Sequence, residues 1–208
     1  MLHKHIRASL LALLLPLLLQ ANHLLSNEIL KPEAQKLINE MGDELLDKTG
    51  INTYLLATQK HFPVGFNFVE YSQEYKGKME KPYVLFIFAP HAKITEKIEM
   101  TGRIGIIPSS KKIATLYNHD EVQDQALGVV AMKDKNSKED KHNIGILQAY
   151  SELADQIAES KGLELTKTIP NDTHNMVNIF RVVLYFGSAL LVWIFFLRPI
   201  FRRRKNGK

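Results

Sequence analysis

No cysteine occurs in the 208 residues of the chain. This excludes a disulfide scaffold, thiolate catalysis, cysteine zinc sites and anchoring through a lipid-modified N-terminal cysteine. There is no internal repeat and no low-complexity tract. A phosphate loop is absent too: Gly102-Arg103-Ile104-Gly105 lacks the longer glycine spacing and the Lys-Ser/Thr pair of a Walker motif and reads as a strand end. Ser109 and Ser110 lie in no nucleophile elbow. A basic domain face is also missing. The net charge is +5, yet between Asn22 and His174 there are 18 Lys or Arg against all 22 Asp or Glu, so the positive excess belongs to the two ends. Nucleic acid is not expected as a partner.

The two ends carry the apolar runs. Lys4 and Arg7 precede Ala8 to Leu19, and Gln20-Ala21 follows, the pattern of a signal peptide over residues 1–21. Twelve apolar residues cover about 18 Å of helix, short of a hydrocarbon core about 30 Å thick. Leu19 stands where a small residue is preferred, so an uncleaved amino-terminal anchor is the alternative. At the other end Val177 to Leu197 carries one charge, Arg181, over 21 residues, about 31 Å of helix. Residues 163–175 then read as a juxtamembrane tether, 176–197 as a transmembrane helix and 198–208 as a basic tail. Six basic residues among the last eleven put that tail in the cytoplasm and residues 22–162 in the periplasm, a single-pass topology in the inner membrane. Arg181 either snorkels to the headgroups or pairs with a carboxylate of a membrane-protein partner. Arg202, Arg203, Arg204 and Lys205 are placed to touch anionic lipid, although orientation alone accounts for them.

Between the ends, helix and strand patterns alternate. Leu30, Ala34, Leu37, Ile38, Met41 and Leu45 recur at three- and four-residue steps and predict a helix from about Pro32 to Thr49, with Pro32 in its first turn and Gly50 as its left-handed cap. Ile51–Thr58 reads as a strand, and a short helix is expected from about Asn67 to Lys76. Tyr83–Ala89 is continuously apolar, the mark of a central strand covered on both faces. Pro90–Lys93 is expected to close a turn, and the alternating Ile94–Met100 to pair back as a half-exposed hairpin strand. After Pro108 the pattern is helical, with Asp120 as an N-cap ahead of Val122, Ala126, Leu127 and Val130. Lys133–His142 is a polar run expected as a loop, and Ile144–Ala158 gives a last helix that ends at Gly162.

Asp47-Lys48-Thr49-Gly50 before the first strand, Val69-Glu70-Tyr71-Ser72 in the short helix, the Val84-Leu85-Phe86-Ile87-Phe88-Ala89 strand and the order of elements over residues 28 to 162 together resemble the TPM domain family. The resemblance implies an α/β fold, a compact TPM-like α/β sandwich, here with a C-terminal single transmembrane helix. The family includes a thylakoid-lumen phosphatase and an animal auxiliary subunit of a receptor channel, so it implies either phosphate chemistry or binding. It also implies acidic residues near the domain start and after the hairpin that take a divalent metal. This chain departs there: it has Ser26-Asn27-Glu28 at the start, Pro90-His91-Ala92-Lys93 where Asp-Arg is common, and Thr101-Gly102-Arg103-Ile104-Gly105 after the hairpin.

A hydrolytic metal site needs several oxygen or imidazole ligands converging on one cation, with a water between it and the phosphate. The densest set in the sequence is His119, Asp120, Glu121 and Asp124, in which Asp120 and Asp124 share a helical face and His91 could approach from the strand turn. Such a site would take a divalent cation, Ca or Mg. The plainer reading makes Asp120 a cap, Glu121 a partner of the helix dipole and Asp124 solvated. Histidines 61, 91, 119, 142 and 174 show no paired ligand spacing. The functional expectation is therefore a membrane-anchored extracytoplasmic accessory, assembly or maintenance factor that binds a membrane complex. The alternative is a divalent-metal-dependent phosphatase.

Overall fold

Proline at the first helical position and a left-handed glycine at the end fix the first long helix. It runs from Pro32 to Thr49, with Gly50 at φ 71° and its N–H donating to the Leu46 carbonyl at 2.8 Å. It buries Ala34, Ile38, Met41, Gly42 and Leu45, whereas Leu37 falls just outside the stripe and is 38% exposed. The computed structural model describes residues 22–96, 100–170 and 193. The chain divides into two units at Ile169/Pro170, and of the second only Pro170 and Trp193 are described.

In chain order the elements are β1 (Leu24–Asn27), α1 (Pro32–Thr49), β2 (Asn52–Ala57), α2 (Phe68–Ser72) continuing as a 3-10 turn through Lys78, β3 (Tyr83–Lys93), β4 (Thr101–Pro108), α3 (Lys111–Ala114), α4 (His119–Ala131) and α5 (Lys138–Glu159). The sheet order is β1-β2-β3-β4, parallel across the first three strands and antiparallel between β3 and β4. Alternation along the strands makes two cores. Leu55, Ala57, Val84, Phe86, Phe88 and Ile106 pack on one face beneath α1, α4 and α5. Tyr54, Leu56, Leu85, Ile87 and Ala89 pack on the other, against Phe62, Phe68 and Tyr71. The steps β1 to β2 and β2 to β3 run the same way across the sheet, yet α1 covers one face and α2 the other. The two parallel connections therefore have opposite hands, and one departs from the right-handed rule.

The expected compact TPM-like sandwich with a C-terminal transmembrane helix is corrected. The described residues form a mixed α/β domain of five α-helices on an open four-stranded sheet. Among the described residues no helix is long and apolar enough to cross a membrane. The two long helices, α1 and α5, each bury one side, and α1 carries Lys36 and Glu40 on its outer side, paired at 3.6 Å. The inner-membrane, single-pass localisation with a periplasmic domain is corrected on the same finding. The segments read as signal peptide (1–21), transmembrane helix (176–197) and basic tail (198–208) lie outside the described residues, Trp193 apart.

Local expectations shift as well. Pro90–Lys93 continues β3 across a register irregularity between Ala89 and Lys93, and the returning strand is Thr101–Pro108 rather than Ile94–Met100. The second half of the polar run 133–142 is the first turn of α5, where Ser137 Oγ accepts from Asp140 N–H at 3.0 Å and donates to Asp140 Oδ2 at 2.7 Å. In the described part of the expected tether, the Glu44 carboxylate accepts the N–H groups of Thr166 and Lys167, at 2.9 and 2.8 Å, and the Ser151 hydroxyl accepts from Ile169 N–H at 2.7 Å.

β1 is anchored by one buried imidazole. His23 is fully buried, with Nδ1 2.8 Å from the Thr53 carbonyl, Nε2 3.2 Å from Asp43 Oδ1, and its backbone N–H donating to Asn39 Oδ1. Tyr150 Oη donates to the same Thr53 carbonyl at 2.9 Å. A Cβ on Gly42 would meet the His23 ring at 2.4 Å, so α1 needs glycine there for space. Gly42→Ala is expected to lower stability by about 1–3 kcal/mol in urea unfolding. The same change in a His23→Ala background should cost clearly less, because the clash is with the ring.

Candidate functional site

The carboxyl ends of the parallel strands are where open α/β sheets leave a crevice, and here the antiparallel strand begins at the same end. The β3–β4 hairpin forms one wall of a cleft of about 480 Å³ through Phe88, Pro90, His91, Gly102 and Ile104. The last turn of α4 contributes Leu127, Val130 and Ala131, and the first turns of α5 contribute Lys138, Lys141 and His142. Close packing of α4 on α5 sets the second wall: a Cβ on Gly145 would lie 3.1 Å from the Ala126 carbonyl. Gln123 Nε2, donating to the Ile104 carbonyl at 3.4 Å, ties α4 to β4.

The described residues that line the cleft are apolar side chains and cations, with no carboxylate among them. The cations are not equivalent. Arg103 Nη1 donates to the Phe66 carbonyl at 2.9 Å and its guanidinium lies 4.5 Å from the Phe68 ring centroid, so its charge is committed to the opposite face of the sheet. Lys141 pairs with Asp134 at 3.1 Å and donates to the Met132 carbonyl. Lys138 makes no ion pair with any described residue. His142 sets its ring edge against Phe88, with centroids 5.5 Å apart. Burial first, then His91 and Lys138, hold it below the ordinary 6.5.

His91 is held by a relay from the neighbouring strand ends. Glu28 Oε2 accepts from the Thr58 hydroxyl at 3.0 Å and from Gln59 N–H at 2.6 Å, and the Gln59 side-chain amide donates to the Glu28 carbonyl at 3.4 Å. Gln59 Oε1 is thereby left to accept from His91 Nε2 at 2.8 Å. The His61 ring stacks on His91 at 4.9 Å.

The residues expected to bind metal lie elsewhere. His119, Asp120, Glu121 and Asp124 are exposed in the first half of α4 and do not line the cleft, to which His91 and the far end of that helix contribute. Asn118, not Asp120, caps α4, accepting from the N–H groups of Asp120 and Glu121 at 3.1 and 3.4 Å. His119 bonds Gln123 at 3.0 Å, and Glu121 accepts from Gln156 Nε2 at 3.1 Å. Among the described residues no group of three or more His, Asp or Glu could hold a metal ion. The contact residues Arg181, Arg202, Arg203, Arg204 and Lys205 lie outside the described residues. Set against known protein families and curated proteins, the chain matches none, so the TPM resemblance rests on its quoted residues alone. The membrane-anchored accessory role and the metal-dependent phosphatase alternative are both corrected, because the described residues contain neither a membrane-crossing helix nor a metal cluster.

His91 and His142, the histidines of the cleft, carry little sequence signal, since they are 51 residues apart. The nearest clue is Ser137-Lys138-Glu139-Asp140, an N-terminal helix signature that puts Lys138 and His142 four residues apart on one helical face.

A second concentration of titratable groups lies under the returning segment 163–169. Lys48 and the N–H groups of Thr166 and Lys167 hold Glu44 down at about 2, while burial pushes Asp155 up to about 6 against the help of the Thr168 hydroxyl. A raised folded value means that the Asp155 contribution is fully present below the ordinary carboxylate value of 3.8 and is lost as pH rises through about 6. The Glu44 contribution is present above 4.5 and is lost only as pH falls toward about 2. Between these windows Tm should therefore fall as pH rises from about 4.5 to about 6.5. Asp155→Asn should raise Tm at neutral pH and flatten that slope, as differential scanning calorimetry would show.

Proposed function

We propose that the domain is a binding domain for a small anionic amphiphile, with the apolar body between Phe88, Ile104, Leu127 and Val130 and the anionic head at Lys138 and His142. The observation that carries this reading is the lining of the cleft: apolar walls, a cationic mouth and, among the described residues, no carboxylate. Its volume of about 480 Å³ falls in the range of about 300–1,000 Å³ usual for small-molecule sites. Exposed Ile94, Met100 and Leu127 extend the apolar lining outward to the rim. Among the described residues of the cleft nothing resembles a nucleophile held by a base, and the chemistry they offer is capture.

Burying an eight-carbon chain yields about 5 kcal/mol before the cost of association, and one exposed charge contact adds up to about 1 kcal/mol. With the lowest estimate of that cost, about 4 kcal/mol, octanoate should bind the full chain with a dissociation constant of roughly 10–50 mM, shifting the amide resonances of Ile104, Leu127 and His142 in NMR titration. Octyltrimethylammonium, with a tail one carbon longer and the opposite charge, should bind at least about fivefold more weakly. Lys138→Glu should weaken octanoate by about fivefold with the fold unchanged. Equal binding of the two amphiphiles, or shifts confined to other faces, would overturn the proposal.

A further inference from the structure

We infer that capture is coupled to a proton: an anion at the mouth of the cleft draws a proton onto His142, and the domain holds its ligand more tightly in mild acid than at neutral pH. The inference rests on the amphiphile reading and adds its regulation. His142 is suited to it by geometry. It is half-buried in the cleft wall, and neither ring nitrogen has a hydrogen-bond partner among the described residues, so both can donate to an incoming head group. His91 differs, because its Nε2 is already given to Gln59 and its ring lies against His61. A charge on His91 would stand beside both other imidazoles.

The groups that face His142 decide the sign. Its own helix supplies Lys138 and Lys141, the latter offset by Asp134, and one turn back the exposed Glu139, which does not line the cleft. β3 supplies His91, with His61 behind it, and the Arg103 guanidinium on β4 is turned to the Phe68 face. α4 presents only Leu127, Val130 and Ala131 to the cleft. Among the described residues that line the cleft, the charges near His142 are positive, and burial, His91 and Lys138 hold the imidazole below its ordinary value. An anion between Lys138 and His142 reverses the local field. By linkage, whatever raises the proton affinity of His142 when ligand binds must raise ligand affinity when His142 is protonated. The limit is about tenfold in affinity for each unit by which the imidazole shifts.

The test uses octane-1-sulfonate, whose charge is the same at every pH of interest, titrated calorimetrically into the full chain at about pH 5.5 and about pH 7.5. Affinity should be at least about fivefold higher at the lower pH. At an intermediate pH, titrations in two buffers of different protonation enthalpy should report net proton uptake. His142→Gln, whatever its absolute affinity, should bind equally at both pH values and take up no proton, with an unchanged amide spectrum to show that it folds. A wild-type affinity independent of pH would overturn the inference and leave the amphiphile reading standing. A His142→Gln protein with wild-type pH dependence would overturn the assignment to this residue. If octane-1-sulfonate binds at neither pH, the amphiphile reading itself fails.

Discussion

Everything in the domain is arranged around burial of one strand on both faces and along both edges. From Val84 to Ala89, β3 is buried at every position, and it pairs in parallel with β2 and antiparallel with β4. A strand apolar on both faces needs a layer on each side, which α1, α4 and α5 supply on one and the aromatic group of Phe62, Phe68 and Tyr71 on the other. Where this burial lapses, at His91, the register with β4 slips, and the strand end faces the helix pair across open space. The cleft is the place where the central strand runs out of cover.

The parts of the fold legible in the sequence are those in which local chemistry and tertiary packing agree. α1 is one, since proline, period and glycine cap all point to the same bounds. β4 is the counterexample. Ile94–Met100 alternates and reads as a strand, while Thr101–Pro108 contains two glycines and a terminal proline and reads as a strand's end. Gly105 is glycine because the Phe68 ring crosses the sheet there: a Cβ would lie 2.9 Å from it. Gly102 holds φ at 113°, close to the edge where the register breaks. The residues that disguised the strand are those its packing requires, and no local pattern carries that information.

Charge was legible as composition but not as commitment. The acidic run at the start of α4 invites a metal, yet helix N-termini gather carboxylates for reasons of dipole and capping alone, and here Asn118 and Gln156 take up the hydrogen bonds. Lysines are equally ambiguous in the sequence. Lys31 meets Asp140 at 2.6 Å across 109 residues, and Lys141 turns to Asp134. Lys138, in the same turn of α5, is left for the cleft. Spacing gave no warning of which of these cations would be spent within the fold.

The opposite hands of the two parallel connections bear on where a ligand could sit. Had the β2-to-β3 connection followed the same hand as its predecessor, its helix would have joined α1 on the face that α4 and α5 now share. Placing α2 on the far side instead leaves that face to a helical hairpin entering from β4, whose turn lies at the strand ends. The hairpin brings the end of one helix and the start of the next to the mouth of the cleft. The end of α4 supplies Leu127 and Val130, and the start of α5 supplies Lys138 and His142. Apolar wall and cationic mouth therefore come from one turn between two helices, and the pairing of a greasy surface with a positive edge follows from the topology rather than from any single residue.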